Sequence, residues 1–181
     1  MKLLAHRARA LLLVLPVALV LSGCLGGIGG AETPASAPAF RPEAFFAGAT
    51  RGEGMLEKRV GADRSFHVSG AGHLEGDGTF VLVQTVTYAD GKAGERRVFR
   101  LRRVNETEYA GTLTGASGPV WARVDGNAFH VRYKMKRAMA MEQWIHLQPD
   151  GRTALNRATV RLLGMPVARV SETITRQDPK P

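Results

Sequence analysis

Four Asp-Gly pairs punctuate the chain, at Asp77-Gly78, Asp90-Gly91, Asp125-Gly126 and Asp150-Gly151. A tight hairpin turn needs positive φ at its centre, which Gly adopts freely and Asp tolerates. Each pair therefore marks a place where one strand turns back on the next. Between the pairs the sequence alternates with a period of two. Over 127–136, Phe129, Val131, Tyr133 and Met135 share one face, and His130, Arg132, Lys134 and Lys136 share the other. The same alternation groups Phe80, Leu82, Val86 and Tyr88, then Phe99 with Leu101, then Ala168, Val170 and Ile174. One dry face and one wet face is the pattern of antiparallel strands over a single core. Runs at 54–60, 63–69, 79–88, 95–104, 109–115, 119–125, 127–136, 142–148, 152–162 and 166–175 predict eight to ten strands in an all-β fold. A meander of that length must hide its edges. Closure into an antiparallel up-and-down β-barrel does so while burying one face; a two-sheet sandwich is the alternative. The one helical signal is a short N-terminal turn at Pro42–Gly48, with Pro at a first helical position and Gly at the end.

The barrel domain is expected over 40–181, and what precedes it has a different character. Lys2, Arg7 and Arg9 stand without an acid, followed by the apolar run Ala10–Leu21, interrupted by Pro16. A membrane-spanning helix needs about 20 apolar residues, so this run is too short; a basic start and a short apolar run describe a secretory signal over 1–23. Leu21-Ser22-Gly23-Cys24 resembles a bacterial lipobox. The resemblance implies cleavage before Cys24, acylation of its thiol, and lipid anchorage of the mature chain. Leu25, in place of the Asp that holds such lipoproteins at the inner membrane, implies the periplasmic leaflet of the outer membrane. Residues 24–39 carry the lipidated Cys and a stretch rich in Gly, Pro, Ala and Ser, which reads as a flexible tether.

This changes how the charge is read. The chain of 181 residues has 25 Lys+Arg against 16 Asp+Glu, a formal +9. Loss of Lys2, Arg7 and Arg9 with the signal leaves +6. The basic runs Arg96-Arg97, Arg100, Arg102-Arg103 and Lys134, Lys136, Arg137 lie opposite the aromatic face, whereas single-stranded nucleic acid wants aromatic platforms among the cations. No nucleic-acid partner is expected. Solvated outer strand faces are the plain reading, and anionic lipid or lipopolysaccharide is the partner such a surface would take in the periplasm.

Tests for catalytic chemistry return little. Four of the six Asp sit in the Asp-Gly turns, Asp63 follows Gly61-Ala62 in another turn, and Asp178 is in the tail. His67, His73, His130 and His146 show no metal-ligand spacing, with His130 and His146 on or near outward strand faces, so no metal is expected. Gly115-Ala116-Ser117-Gly118 has the wrong spacing for a nucleophile elbow and reads as a bend. Asn105-Glu106-Thr107 falls in a hairpin loop. The single Cys is assigned to lipid, which leaves no thiol chemistry. What stands out instead is polarity out of place. Glu172 is in register with Ala168, Val170 and Ile174, Gln84 with Leu82 and Val86, Asn156 with Ala154 and Ala158, and Arg97 with Phe99 and Leu101. A carboxylate turned inward needs a partner, and Arg97 is the candidate. These four are either the convergent polar groups of a ligand cavity or an internal hydrogen-bond network.

The stretch 45–176 resembles a family of uncharacterised Gram-negative lipoproteins catalogued as a domain of unknown function. Phe45-Phe46-x-Gly48, Gly52-x-Gly54, Tyr88-x-Asp90-Gly91 and Arg97-x-Phe99-Arg100-Leu101 carry the likeness. It continues through Tyr109-x-Gly111, Gly126-Asn127-Ala128, Tyr133, Trp144, Leu147, Asn156-Arg157-Ala158 and Gly164. The family's Trp at the place of Phe99, and its Asp-Asp pair at the place of Glu142-Gln143, are missing here. The resemblance implies a lipocalin- or calycin-like barrel and no established activity. Gly48-x-Thr50-x-Gly52-Glu53-Gly54 also looks like the opening of lipocalin-type and nitrobindin-type barrels, but no axial His matches, so no haem or other cofactor is expected. The functional expectation is a non-catalytic, lipid-anchored barrel that binds a small apolar or lipid-like molecule. The alternative is a structural or envelope-assembly protein with a filled interior; an enzyme built on Arg97 and Glu172 ranks last.

Overall fold

The computed structural model describes residues 38–91 and 94–178. The signal segment 1–23, Cys24 and nearly all of the 24–39 tether lie outside the described residues. One helical turn, α1 (Pro42–Phe45), precedes ten strands: β1 (Gly48–Lys58), β2 (Arg64–Leu74), β3 (Phe80–Tyr88), β4 (Glu95–Arg103), β5 (Glu108–Leu113), β6 (Ala116–Asp125), β7 (Ala128–Met135), β8 (Met139–Leu147), β9 (Thr153–Leu162) and β10 (Met165–Arg176). Each strand pairs antiparallel with its neighbours in sequence, and β1 pairs with β10 to close the barrel. The closing register runs from Thr50 opposite Arg176 to Lys58 opposite Ala168. The barrel, not the sandwich, is therefore the fold, and it has no free sheet edge.

The four Asp-Gly pairs all lie in or beside the turns between strands, with Gly78, Gly91, Gly126 and Gly151 at positive φ. Asp side chains brace several of them. Asp77 Oδ1 accepts the Thr79 N–H at 2.9 Å, and Asp150 Oδ1 accepts the N–H groups of Arg152 and Thr153, each at 2.9 Å. Two expectations need correction in extent. β1 begins at Gly48 rather than 54, and β2 runs to Leu74 rather than 69. Glycine is poor strand material, so the segments around 48–54 and 70–72 read as breaks. In the barrel Gly52, Gly54, Gly70 and Gly72 face inward, where the missing side chains make room. Gly72 is one such place: the Phe46 backbone carbonyl occupies the spot where a Cβ would stand.

The interior differs from end to end. At one end the chain enters through the Phe40 N–H, which donates to the Gly126 carbonyl at 2.8 Å, and α1 lies across the barrel base. Phe40, Phe45 and Phe46 fill this end; Phe40 stacks on Phe129 at 5.5 Å, and Phe45 meets Phe46 edge-on at 4.9 Å. Burying each such ring is worth about 1.5–3 kcal/mol. Tyr109 lies fully buried beside them, its hydroxyl accepting from Arg103 at 2.8 Å and donating to Glu43 at 3.2 Å. The opposite end is the mouth. Among the described residues no helix covers it, and its inward residues Leu56, Tyr88, Met135 and Met139 are only half-buried.

The base plug makes a prediction. Gly72→Ala drives a methyl into the Phe46 carbonyl and should lower the free energy of unfolding by about 1–3 kcal/mol in a urea titration. Gly76→Ala, in the open β2–β3 loop, should change it by less than about 0.5 kcal/mol. Equal effects would mean that the plug does not rest on β2.

Candidate functional site

Between the aromatic base and the mouth the barrel is hollow. A cavity of about 350 Å³ runs through this half of the interior, which falls within the range of small-molecule sites, about 300–1,000 Å³. Its walls are mostly apolar, with Phe66, Val86, Met141, Val160 and Ile174 contributed by five different strands. All four polar residues singled out by register line it: Gln84 from β3, Arg97 from β4, Asn156 from β9 and Glu172 from β10. A side-chain-filled interior does not describe this barrel.

The polar groups are organised around Asn156. Asn156 and Glu172 face each other directly across β9 and β10, and Asn156 Nδ2 donates to Glu172 Oε2 at 2.9 Å. The same amide donates to Gln143 Oε1 at 3.2 Å. Asn156 and Glu172 are 3% and 8% exposed. Burial pushes the Glu172 carboxyl above the ordinary carboxylate range, opposed by the Asn156 hydrogen bond and the Arg97 charge. Its other oxygen, Oε1, sits over Gly52, where any Cβ would collide with it. That position in β1 has to be glycine because the carboxyl lies against the backbone. Glu172 Oε1 and Asn156 Oδ1 both lack a hydrogen-bond partner. Two orphan polar atoms on one cavity wall are unusual, since buried polar groups are normally paired.

Arg97 is not the direct partner expected for Glu172. Its guanidinium donates instead to Glu95 Oε2 at 2.9 Å, toward the mouth, and it acts on Glu172 only through its charge. The reason is register: Arg97 lies on β4 opposite Gln84 of β3, while Glu172 belongs to β10 across the barrel. Tyr133, assigned to the inner face by alternation, also lines the cavity, packing edge-on to Phe99 at 6.1 Å. Burial is the main reason its phenol is pushed up to about 12. Gln143 was missed. Met141, Gln143 and Ile145 alternate onto the inner face of β8, and an amide in that phase is the same signal that singled out Gln84.

The outer face carries little that resembles a site. Three of the β4 arginines expected to form a basic run are matched with acids on the outer face: Arg100 with Glu75, Arg102 with Asp77 at 2.7 Å and Arg103 with Glu43 at 3.3 Å. His130 stacks on Trp144 at 3.8 Å and meets Glu142 Oε1 at 3.0 Å, and burial is the main cause of its lowered pKa. His146 alternates outward beyond Trp144 yet is only 3% exposed, so it is a buried residue and not a surface one. Among the described residues no group of His, Cys, Asp and Glu is placed to hold a metal.

The closed antiparallel barrel of ten strands, with a helical turn at its base and a cavity behind its mouth, is a lipocalin-like fold. Among solved structures it is similar to the S-type phycobiliprotein lyase CPES from Guillardia theta, with a TM-score of 0.61 at 11% identity, covering 76% of this chain and 93% of that one. It is also similar to a protein of unknown function of the DUF3598 family from Nostoc punctiforme, with a TM-score of 0.59 at 14% identity, covering 81% of this chain and 53% of that one. At these identities the likeness is one of fold. Residues 18–176 match the family described as "Protein of unknown function (DUF3833)", and the chain belongs to that family. No curated protein matches the sequence.

The buried carboxyl sets a pH dependence. The folded state holds a proton on Glu172 that the unfolded chain releases once pH passes the ordinary carboxyl value of about 4.3. Rising pH from there to the raised folded pKa therefore erodes stability, because the native state binds more protons than the unfolded one. Glu172→Gln should match the wild type in thermal melts near pH 4 and exceed it once pH has risen past the ordinary carboxyl value. A difference that stayed constant with pH would show that Glu172 does not titrate abnormally.

Proposed function

We propose that the protein is a non-catalytic binding module that holds one small amphiphile in the barrel, with the apolar body against Phe66, Val86 and Val160. The observation that carries this reading is the pair of orphan polar atoms on the wall of a mostly apolar cavity. The Asn156 amide spends its donors on Glu172 and Gln143, so its Oδ1 is left as an acceptor. Glu172, whose pKa burial raises, adds a donor whenever it carries its proton. A hydroxyl or carboxylic acid head, able to give and to take a hydrogen bond, answers both at once. The similar phycobiliprotein lyase shares the barrel fold, but the reading rests on the cavity of this chain.

We propose further that the barrel is a lipoprotein, anchored through Cys24 in the periplasmic leaflet of the outer membrane. The lipobox-like Leu21-Ser22-Gly23-Cys24 after a short apolar run supports this, and Leu25 supports the outer-membrane destination.

Two experiments test these readings. The wild-type chain should bind parinaric acid, a fluorescent fatty acid, with saturation at one site. Ala158→Phe, which fills the cavity from β9, should weaken binding about tenfold or more, equivalent to at least about 1.4 kcal/mol. Unchanged affinity in a folded Ala158→Phe variant would place the probe outside the barrel. For the anchor, Cys24→Ser should remove the acyl mass seen by intact-protein mass spectrometry of the membrane-extracted chain. An identical modification state in wild type and variant would refute lipidation at Cys24.

A further inference from the structure

One arc of the mouth differs from the rest of the surface. Three loop tips meet there: 59–62 between β1 and β2, 136–138 between β7 and β8, and 162–165 at the β9–β10 turn. Backbone hydrogen bonds hold them side by side, with the Leu163 N–H donating to the Ala138 carbonyl at 3.2 Å and the Arg59 N–H to the Val167 carbonyl at 2.9 Å. Their apolar residues point to solvent: Val60, Leu163 and Met165 are 86%, 76% and 62% exposed. Leu163 is held at φ 49°, and Arg137 and Ala138 at 60° and 56°. This is the left-handed region, where Gly or Asn is favoured in hairpin turns and a branched side chain is disfavoured. Turn stability does not explain a leucine at that position.

The charges on this lip are mostly positive. Arg59, Lys136 and Arg137 are exposed, and the one carboxylate in the three connections is Asp63, whose Oδ1 accepts the Lys58 N–H at 3.0 Å. No ion pair among the described residues involves any of the three cations. Elsewhere around the mouth Arg64 is matched with Asp90 at 2.7 Å and Arg97 with Glu95 at 2.9 Å.

We propose that this lip docks the mouth of the barrel onto an anionic lipid bilayer. Val60, Leu163 and Met165 would enter the boundary between headgroups and acyl chains, with Arg59, Lys136 and Arg137 against the lipid phosphates. An acidic protein partner would match the cations and leave the exposed apolar tips unexplained. A bilayer interface answers both, because it presents phosphates and hydrocarbon within one thin layer. The lip is also continuous with the cavity, since Met135 and Met139, which flank the 136–138 turn, line its wall. A docked mouth would let an amphiphile pass between bilayer and barrel without crossing water. The docking stands on the lip alone; only this passage rests on the ligand-binding reading.

Amide hydrogen exchange on the full chain tests it, with phosphatidylcholine vesicles that contain or lack phosphatidylglycerol. Exchange in 59–62, 136–138 and 162–165 should slow on the anionic vesicles alone and recover at high salt, while the base loops 75–79 and 104–107 stay unchanged. Neutralising two cations in Lys136→Gln/Arg137→Gln should lower the docked-to-undocked ratio about 25-fold, at about fivefold per cation. The strands β7 and β8 report in the same experiment that the variant is folded. Exchange at the lip that ignores lipid charge would overturn the proposal, as would equal protection of the base loops or a folded double variant that keeps full protection. Because no fatty acid is added, failure here leaves the parinaric acid result untouched, and failure there leaves this one untouched.

Discussion

Without the pairing of β1 to β10 the sheet would have two open edges and the cavity would have no wall on one side. The register of that pairing, Thr50 to Arg176 through Lys58 to Ala168, also sets the chemistry inside. It lays Gly54 opposite Glu172 and Gly52 opposite Ile174, so the glycines of β1 pass beneath the carboxyl. A one-residue slip of β10 against β1 would turn Glu172 to solvent and the exposed Thr173 inward. Closure and the buried acid are thus one constraint seen from two sides. The strand that completes the barrel is the one whose missing side chains make room for its least tolerable residue.

The same economy of side chains explains why the barrel is hollow. Small barrels of about eight strands have interiors that side chains can just fill, and diameter grows with strand number. Ten strands give a wider lumen, and β1 and β2 contribute Gly52, Gly54, Gly70 and Gly72 to its inner face. At the base, Phe40, Phe45 and Phe46 from outside the sheet make up the deficit. Toward the mouth nothing in the described chain does, and Asn156, Gln143 and Glu172 share their hydrogen bonds incompletely. The interior that results is graded: an aromatic floor, a cavity with a polar patch on its wall, and an apolar rim of Met135, Met139 and Leu56.

Much of this was legible in the sequence because strand period and turn chemistry are local signals. The Asp-Gly pairs locate four of the connections, and alternation alone turns Gln84, Arg97, Asn156 and Glu172 inward. Extents failed where the local signal points the wrong way. Gly48–Gly54 and Gly70–Gly72 have low strand propensity, and only the barrel supplies the neighbours that make them useful. The partner of Glu172 failed for another reason, since which inward residues meet depends on register around the whole barrel. The turns at Arg137-Ala138 and Leu163-Gly164 gave no clear signal either, because non-Gly residues at positive φ do not announce a hairpin. Hollowness cannot be read from sequence at all, as it is a difference between two large volumes.

The central claim is that the barrel is built to hold a guest, and native mass spectrometry of the full chain, extracted gently from membranes, tests it most directly. The account predicts a non-covalent adduct with the mass of one single-headed amphiphile, released on mild activation. A chain that flies only at its own covalent mass, even after incubation with fatty acids and hydroxylated lipids, would contradict it.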